Sequence, residues 1–322
     1  MMNAVDVVVT GTLPGNAMER LGSLFRLHPI PDPLRVMEVL SGPAKGARAL
    51  IAVGGRVQVS AEVIDALPQL EIISNFGVGY DAVDAVHAAT RGIVVTNTPD
   101  VLTEEVADLT LGLLLATVRE LPQADRYLRA GRWLEKPYPL TTTLRTRSIG
   151  IFGLGRIGKA VARRIEAFGL PIAYHGRSRQ ADVPYAYHDT LVGLARAVDT
   201  LVCVAPGGEE TRGMIGAQVL EALGPDGILI NVGRGTTVDE PALIAALANR
   251  TIRSAGLDVF ADEPRVPAEL MAMEHIVLLP HVGSASVHTR DGMANLCVDN
   301  AEAWFAGRGP LTPVPETPWP KR

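Results

Sequence analysis

Residues 147–169, RSIGIFGLGRIGKAVARRIEAFG, decide how this chain is read. The apolar run of Ile149, Ile151 and Phe152 reads as a buried strand. Gly153, Gly155 and Gly158 follow in G-x-G-x-x-G spacing, where a strand passes into a helix. In such a turn the first glycine permits the tight bend, the second lets backbone N–H groups approach a pyrophosphate, and the third lets the helix pack on the strand. The helix start adds unpaired donors and the positive end of its dipole. The same spacing also occurs in ordinary glycine-rich strand-to-helix turns, so the surroundings have to decide. Here an amphipathic helix marked by Ile157, Val161, Ile165 and Phe168 follows, and then a second strand, as a dinucleotide turn requires.

Downstream, PIAYHGR, TLVCVAP, GILINVGRG, SAGLDVF and HIVLLPH continue the strand pattern, six strands in all with the first. That suits a doubly wound dinucleotide domain, whose ligands bind at the carboxyl ends of the strands. Upstream, VDVVVTG, SLFRLH, RALIAVG, LEIISNFG and GIVVTNT alternate with helix-like segments, one through Met18 and Leu21. This alternation predicts a parallel sheet covered on both faces, of flavodoxin-like type. From Pro99 the pattern changes to a long helix, TEEVADLTLGLLLATVREL, with Thr103 as N-cap and Glu104 and Glu105 in the first turn. Residues 122–146, with Trp133, Pro137 and Tyr138, lack periodicity and read as an excursion from the globule. A last amphipathic helix over residues 287–306, through Met293, Leu296, Val298 and Trp304, returns the chain to the first domain, and the Pro-rich stretch from Gly307 reads as an extended tail. The expected fold is α/β in two domains. A Rossmann doubly wound dinucleotide-binding domain takes residues 99–285, and a flavodoxin-like substrate-binding domain takes residues 1–98 and 286–322.

A chain of 322 residues with 47% hydrophobic and 20% charged residues suits two globular domains of ordinary size. The net charge of −5, without a basic block, gives no general attraction to nucleic acid. Cys203 and Cys297 lie far apart without C-x-x-C spacing, which suggests neither a disulfide framework nor a thiolate metal site and suits a reducing, cytoplasmic setting. The N-terminus lacks the positive region of a signal peptide. The most apolar run, residues 109–118, is shorter than the roughly 18 residues of a membrane span and reads as a core helix.

Three polar residues follow three consecutive strands: Arg234 in NVGRG, Glu263 in DVFADEP and His281 in LLPHVGSAS. Singly, each suits a surface charge, a loop carboxylate or a structural histidine. Together they make an acid–base site, because a carboxylate keeps an imidazole protonated and a guanidinium grips a carboxylate in bidentate fashion.

With these residues in view the chain resembles the D-2-hydroxyacid dehydrogenase family along nearly its whole length, and within it the glyoxylate/hydroxypyruvate reductases. The resemblance is carried by NFGVGYDAVD at 75–84, GLGRIG at 153–158, NVGRG at 231–235, GLDVFADEP at 256–264 and PHVGSAS at 280–286. It implies that His281 is the general acid that protonates the substrate carbonyl oxygen, that Glu263 holds and polarises His281, and that Arg234 binds the substrate carboxylate. Val78 and Gly79 would take the other side of that carboxylate through backbone N–H groups. Gly153, Leu154, Gly155, Arg156, Ile157, Gly158, Ala205, Pro206, Thr211, Val232, Gly233 and Gly283 would contact the nucleotide, and Asp258 the nicotinamide carboxamide. Asp258 also suits a plain turn or capping aspartate. Leu102 and Tyr80 would line a substrate pocket at the domain cleft. Trp133 would reach the partner subunit's site or pack at the dimer interface. The resemblance further implies reduction as the favoured direction with NADPH; the helical crossings between the domains suggest hinge closure that expels water, and the apolar helix from Glu105 with the arm of Trp133 suggests a large dimer surface and a homodimer.

Residue chemistry bears on the cofactor. Enzymes that use NAD usually place an acid at the end of the second strand, against the ribose 2′-hydroxyl. Here that position is Gly176, followed by Arg177, Ser178 and Arg179, which suit a 2′-phosphate and point to NADPH. Glyoxylate and hydroxypyruvate are the first expected substrates, with aryl pyruvates such as 4-hydroxyphenylpyruvate as the alternative. Phosphoglycerate dehydrogenase is disfavoured by the basic turn and the lack of a regulatory extension. Formate dehydrogenase is disfavoured by Glu263 where that enzyme's pattern has glutamine. A non-enzymatic nicotinamide-sensing corepressor keeps a similar triad but is disfavoured by the lack of disordered recruitment segments.

Overall fold

The computed structural model describes residues 5–30, 32–55 and 57–319. The chain divides into two compact units, one of Met1–Leu102 with Ala285–Arg322 and one of Thr103–Ser284.

In the first unit five parallel strands, β1 (Asp6–Val9), β2 (Arg26–Pro29), β3 (Ala49–Val53), β4 (Ile72–Phe76) and β5 (Val94–Thr96), stand in the order β2-β1-β3-β4-β5. This is the flavodoxin-like order. β1 and β3 are apolar almost throughout because both faces of the sheet are covered. Leu40, Leu50, Ile64, Leu67 and Ile73 fill one face. On the other, Leu21, Ile51 and Ile72 pack with Ala294, Cys297, Val298 and Ala301 of the helix Val287–Phe305. Full burial of each such Leu or Ile contributes about 1.5–3 kcal/mol. The Pro-rich tail is extended, and it is also docked: Pro313 bridges Thr96 antiparallel, and the Val314 N–H donates to the Val95 carbonyl at 2.9 Å.

The second unit holds β6 (Ile149–Phe152), β7 (Ile172–His175), β8 (Ala186–Tyr187), β9 (Thr200–Cys203), β10 (Ile228–Asn231), β11 (Ser254–Leu257) and β12 (Val277–Leu278). They form one parallel sheet in the order β12-β11-β10-β9-β6-β7-β8, so the direction of winding reverses between β6 and β9. The sheet has one strand more than the six read from the sequence. β8 is two residues long at an edge, too short to leave a strand pattern.

Register sets where the site lies. Cys203 pairs with both Phe152 and Asn231, Phe152 with His175, Asn231 with Leu257, and Leu257 with Leu278. The last residues of six strands therefore form a row, and the loops that follow all leave the same edge.

Three further expectations are corrected. The long helix ends at Val118, with Thr103 as its first residue rather than its cap. Glu120 turns left-handed (φ 53°), and a second helix, Leu121–Arg129, starts with Pro122 in its first turn, followed by a 3-10 turn at Arg132–Leu134. The supposed irregular excursion is thus partly helical. Its helix carries Leu121, Ala124 and Leu128 at helical spacing but buries no residue. Phe168, read as part of an apolar helix face, lies beyond the helix end at Glu166 and is 49% exposed.

Cys203 and Cys297 are free and buried, and burial pushes their thiols up to about 11 and about 12. Among the described residues no helix is long and apolar enough to cross a membrane, and no three His, Cys, Asp or Glu side chains group to hold a metal ion.

Candidate active site

At the end of β6 the three glycines answer to different demands. Gly153 has φ +98°, and a Cβ there would lie 2.9 Å from the Ala205 backbone. A Cβ on Gly158 would lie 2.2 Å from the Gly153 carbonyl oxygen. Nothing in the chain comes within 4 Å of the corresponding point on Gly155. Packing therefore explains two of the glycines, while the third guards open space beside the helix Arg156–Glu166, whose N-terminus has no side-chain cap. A helix start without a side-chain cap beside a cleared surface fits a pyrophosphate.

Gly155→Ala separates these roles. Its backbone (φ −82°, ψ −157°) suits alanine, so the unfolding midpoint should hold while affinity for the nicotinamide nucleotide falls about tenfold or more. Gly158→Ala should instead destabilise by about 1–3 kcal/mol through overpacking. Nucleotide fluorescence titration beside thermal unfolding checks both outcomes.

The neighbouring loops form a floor. A Cβ on Gly233 would lie 2.6 Å from the Ala205 carbonyl oxygen, so the loops after β9 and β10 meet backbone to backbone beside Gly153. Ala205 and Val232 are buried and Pro206 is exposed. The Thr211 hydroxyl closes its loop by donating to the Pro206 carbonyl at 2.7 Å. Leu154 is buried, Ile157 half-buried and Arg156 exposed. After β7, Arg177, Ser178 and Arg179 are all exposed. Their turn is held by Gln180, a residue the sequence did not single out. Its backbone N–H donates to the Tyr174 hydroxyl at 2.6 Å, and its side chain donates to the Leu154 carbonyl at 2.8 Å.

His281 follows β12 with φ +53°, a left-handed conformation that costs a non-glycine residue about 1–3 kcal/mol and needs outside support. Asp258, 1% exposed, provides it. Its carbonyl accepts from the His281 N–H at 2.9 Å, and its carboxylate oxygens accept from the N–H groups of Val282 and Gly283 at 2.7 and 2.8 Å. Burial pushes the Asp258 carboxyl pKa up, against the pull of those two donors. Asp258 is thus the clamp of the histidine loop. Its expected contact with a nicotinamide carboxamide stays a proposal.

Glu263 meets His281 directly, Oε2 lying 2.6 Å from Nδ1 while Oε1 accepts from the Phe260 N–H at 3.0 Å. Burial works to raise the Glu263 pKa. The hydrogen bonds from His281 and Phe260, with the charges of His281 and Arg234, outweigh it and hold the carboxyl below its ordinary range. Glu263 is therefore a carboxylate at neutral pH and can only accept. Nδ1 must carry the donated proton, which leaves Nε2 as the nitrogen for chemistry.

Arg234 follows β10 in a loop with two unpredicted anchors. The fully buried Asn231 accepts from the Gly233 N–H and donates to the Arg234 carbonyl, both at 3.0 Å, and the Thr237 hydroxyl donates to the same carbonyl at 2.7 Å. An Asn two residues before a glycine after a strand is the Asx-turn signal that would have found the first. Gly235 packs so tightly that a Cβ would fall 1.8 Å from the Phe260 carbonyl carbon, which seats the Arg234 loop on the loop that bears Glu263. The guanidinium is near enough to help lower the Glu263 pKa.

The other expected substrate residues, Trp133 apart, lie in the first unit. After β4 the Gly77 carbonyl accepts from the Asn75 side chain and the Thr98 N–H, the Val78 carbonyl from the Asn97 side chain, and the Gly79 carbonyl from Asn75 again, at 2.8–3.1 Å. Among the described residues nothing accepts from the N–H groups of Val78 and Gly79. Three carbonyls are thus tied back beside two unused donors. Tyr80 is half-buried and Leu102 is 4% exposed. Trp133 belongs to the second unit, on the turn Arg132–Leu134, and is 66% exposed.

A doubly wound sheet with a glycine cradle at its switch point, and with an imidazole, a carboxylate and a guanidinium on the same edge, defines a nicotinamide-dependent oxidoreductase. The D-isomer specific 2-hydroxyacid dehydrogenase NAD binding domain matches residues 111–283, and the chain belongs to this family. It is 51% identical to the NADPH-dependent glyoxylate/hydroxypyruvate reductase of Sinorhizobium meliloti, solved in complex with NADP and malonate, with 99% of each chain covered and a TM-score of 0.94. It is 47% identical to a glyoxylate/hydroxypyruvate reductase A of Arabidopsis thaliana, over 93% of this chain and 94% of that one. It is 45% identical to a hydroxyphenylpyruvate reductase of Plectranthus scutellarioides, over 97% of this chain and 100% of that one.

Proposed function

We propose that this protein reduces small 2-oxo acids, glyoxylate and hydroxypyruvate first, to the D-2-hydroxy acid with NADPH. The observation that carries the reading is the 2.6 Å contact between His281 Nδ1 and the Glu263 carboxylate, on the sheet edge that also carries Arg234 and the glycine cradle. When bound, the nicotinamide supplies the hydride. Glu263 keeps the His281 ring oriented, and His281 Nε2 delivers a proton to the carbonyl oxygen. Arg234 would grip the substrate carboxylate and orient the carbonyl, and in the first unit the N–H groups of Val78 and Gly79 would serve as carboxylate donors. The cradle of residues 153–158, with Ala205, Pro206, Thr211, Val232, Gly233 and Gly283, holds the nucleotide. Asp258 reaches the carboxamide through lone pairs not used on Val282 and Gly283.

NADPH preference is supported by the exposed Arg177, Ser178 and Arg179 and by the NADP complex of the Sinorhizobium relative. Catalytic efficiency with NADPH should exceed that with NADH at least tenfold, and Arg177→Ala with Arg179→Ala should remove most of the difference. Equal use of NADH by the unaltered protein would contradict the reading. Assaying NADPH oxidation against glyoxylate, hydroxypyruvate and phenylpyruvate tests the activity. The Plectranthus relative makes aryl pyruvates the second reading, favoured if phenylpyruvate is the better substrate.

The proposal includes a cytoplasmic homodimer, with Trp133 at the interface or in the partner's site. Leu121, Leu128, Trp133, Leu134 and Leu140 are each more than half exposed on one arm of the second unit, which is apolar surface that association would bury. Solution scattering at micromolar concentration should return a dimer mass, and a monomer mass would count against it.

A further inference from the structure

The loop of Val78 and Gly79 is held by a segment more than two hundred residues away in the chain. The Asn97 side chain, which donates to the Val78 carbonyl at 2.8 Å, belongs to a residue zipped to the tail: its N–H donates to the Thr312 carbonyl at 3.3 Å, and its carbonyl accepts from the Thr312 hydroxyl at 2.6 Å. Thr312 is fastened in turn by the fully buried Asn300. Asn300 Oδ1 accepts from the N–H groups of Leu311 and Thr312, and its Nδ2 donates to the Thr312 hydroxyl and the Leu296 carbonyl. Those four bonds use the whole capacity of the amide.

The tail then runs along β5 and returns to the same loop from the other side. The Thr317 hydroxyl accepts from the Val95 N–H at 2.9 Å, and the Tyr80 hydroxyl donates to the Glu316 carboxylate at 2.9 Å. Beyond it Trp319 packs edge-on against Trp304 at 4.7 Å. Thus the Val78 carbonyl and the Tyr80 ring, on either side of Gly79, are both tied to residues 312–316.

We propose that residues 311–317 are a strap that sets the carboxylate-binding loop, with Thr312 and Glu316 as positioning residues for substrate. The proposal rests on the reading of the Val78 and Gly79 N–H groups as carboxylate donors. Two donors aimed at one carboxylate lose binding when their spacing drifts, so slackening the strap acts on the 2-oxo acid and leaves the nucleotide cradle, in the other unit, untouched.

The test measures KM for glyoxylate, affinity for the unreactive oxamate in the presence of NADPH, and the dissociation constant of NADPH. Thr312→Val keeps the shape and removes the hydroxyl; it should raise the glyoxylate KM about tenfold and weaken oxamate to match, with NADPH affinity within about twofold. Thr312→Ser should restore the unaltered values. Glu316→Gln, on the exposed surface, should raise the glyoxylate KM about threefold and serves if Thr312→Val does not fold. Unchanged glyoxylate and oxamate values in the folded variants would overturn the strap, as would parallel losses toward NADPH and glyoxylate. An unaltered protein that neither reduces glyoxylate nor binds oxamate would overturn the carboxylate loop itself, and the strap with it.

Discussion

Replacing His281 by alanine is expected to lower kcat for glyoxylate reduction by about 10²–10⁴-fold while NADPH affinity stays nearly constant. The expectation follows from how the ring is held. Glu263 takes Nδ1 at 2.6 Å, so Nε2 is the nitrogen that gives up a proton as the carbonyl oxygen gains charge. Without it the proton comes from water, and the rate loses the contribution of a positioned acid. The pH dependence should change with it. An identical pH profile in His281→Ala and the unaltered protein would contradict the role. At low pH the sign comes from Glu263. Its pKa is lowered in the folded protein, so the stability it contributes is present above the ordinary carboxylate range. That stability is lost as pH falls through the lowered value. The His281–Glu263 link should therefore survive mild acid and fail only below the ordinary glutamate range, which an acid titration of unfolding in the parent and in Glu263→Gln checks.

The second large effect is expected at Arg234. Arg234→Lys keeps a positive charge but gives up the planar fork that matches a carboxylate, so kcat/KM for glyoxylate should fall about 10²–10³-fold. Both KM and kcat should suffer, because the carboxylate is gripped in the ground state and in the transition state alike. Nucleotide binding should not change. The Arg234 carbonyl is held by Asn231 and Thr237, and the Gly235 contact is made by backbone, so these anchors of the loop stay when lysine stands at 234, although the guanidinium's own bond to the Gly233 carbonyl at 2.8 Å is lost. A variant that lost NADPH affinity in step with glyoxylate would show that the arginine supports the loop rather than the substrate.

Much of the site was legible because its signals are local. G-x-G-x-x-G is a spacing of six residues, and the basic turn after β7 is three adjacent side chains. Arg234, Glu263 and His281 could be picked out as candidates because parallel strands send their C-terminal loops to one edge, so a polar residue after each apolar run is a candidate. What escaped was short structure: the two-residue β8 and the exposed helix Leu121–Arg129, whose apolar stripe is only Leu121, Ala124 and Leu128. Asp258 was read as a ligand contact or a turn or capping aspartate, and that it serves the N–H groups of Val282 and Gly283 could not be read, since it depends on β11 and β12 being neighbours.

By itself the sequence determined the two α/β units, the position of the glycine turn and which polar side chains follow the strands, because apolar runs and glycine spacing report burial and backbone freedom within a few residues. Only the tertiary structure decided which imidazole nitrogen is left for chemistry, what holds His281 in a left-handed backbone, and that Thr312 reaches Asn97 across 215 residues of chain. The reason is that hydropathy patterns encode which face of an element is buried. They carry no record of which polar group meets which once strand register and loop paths are set.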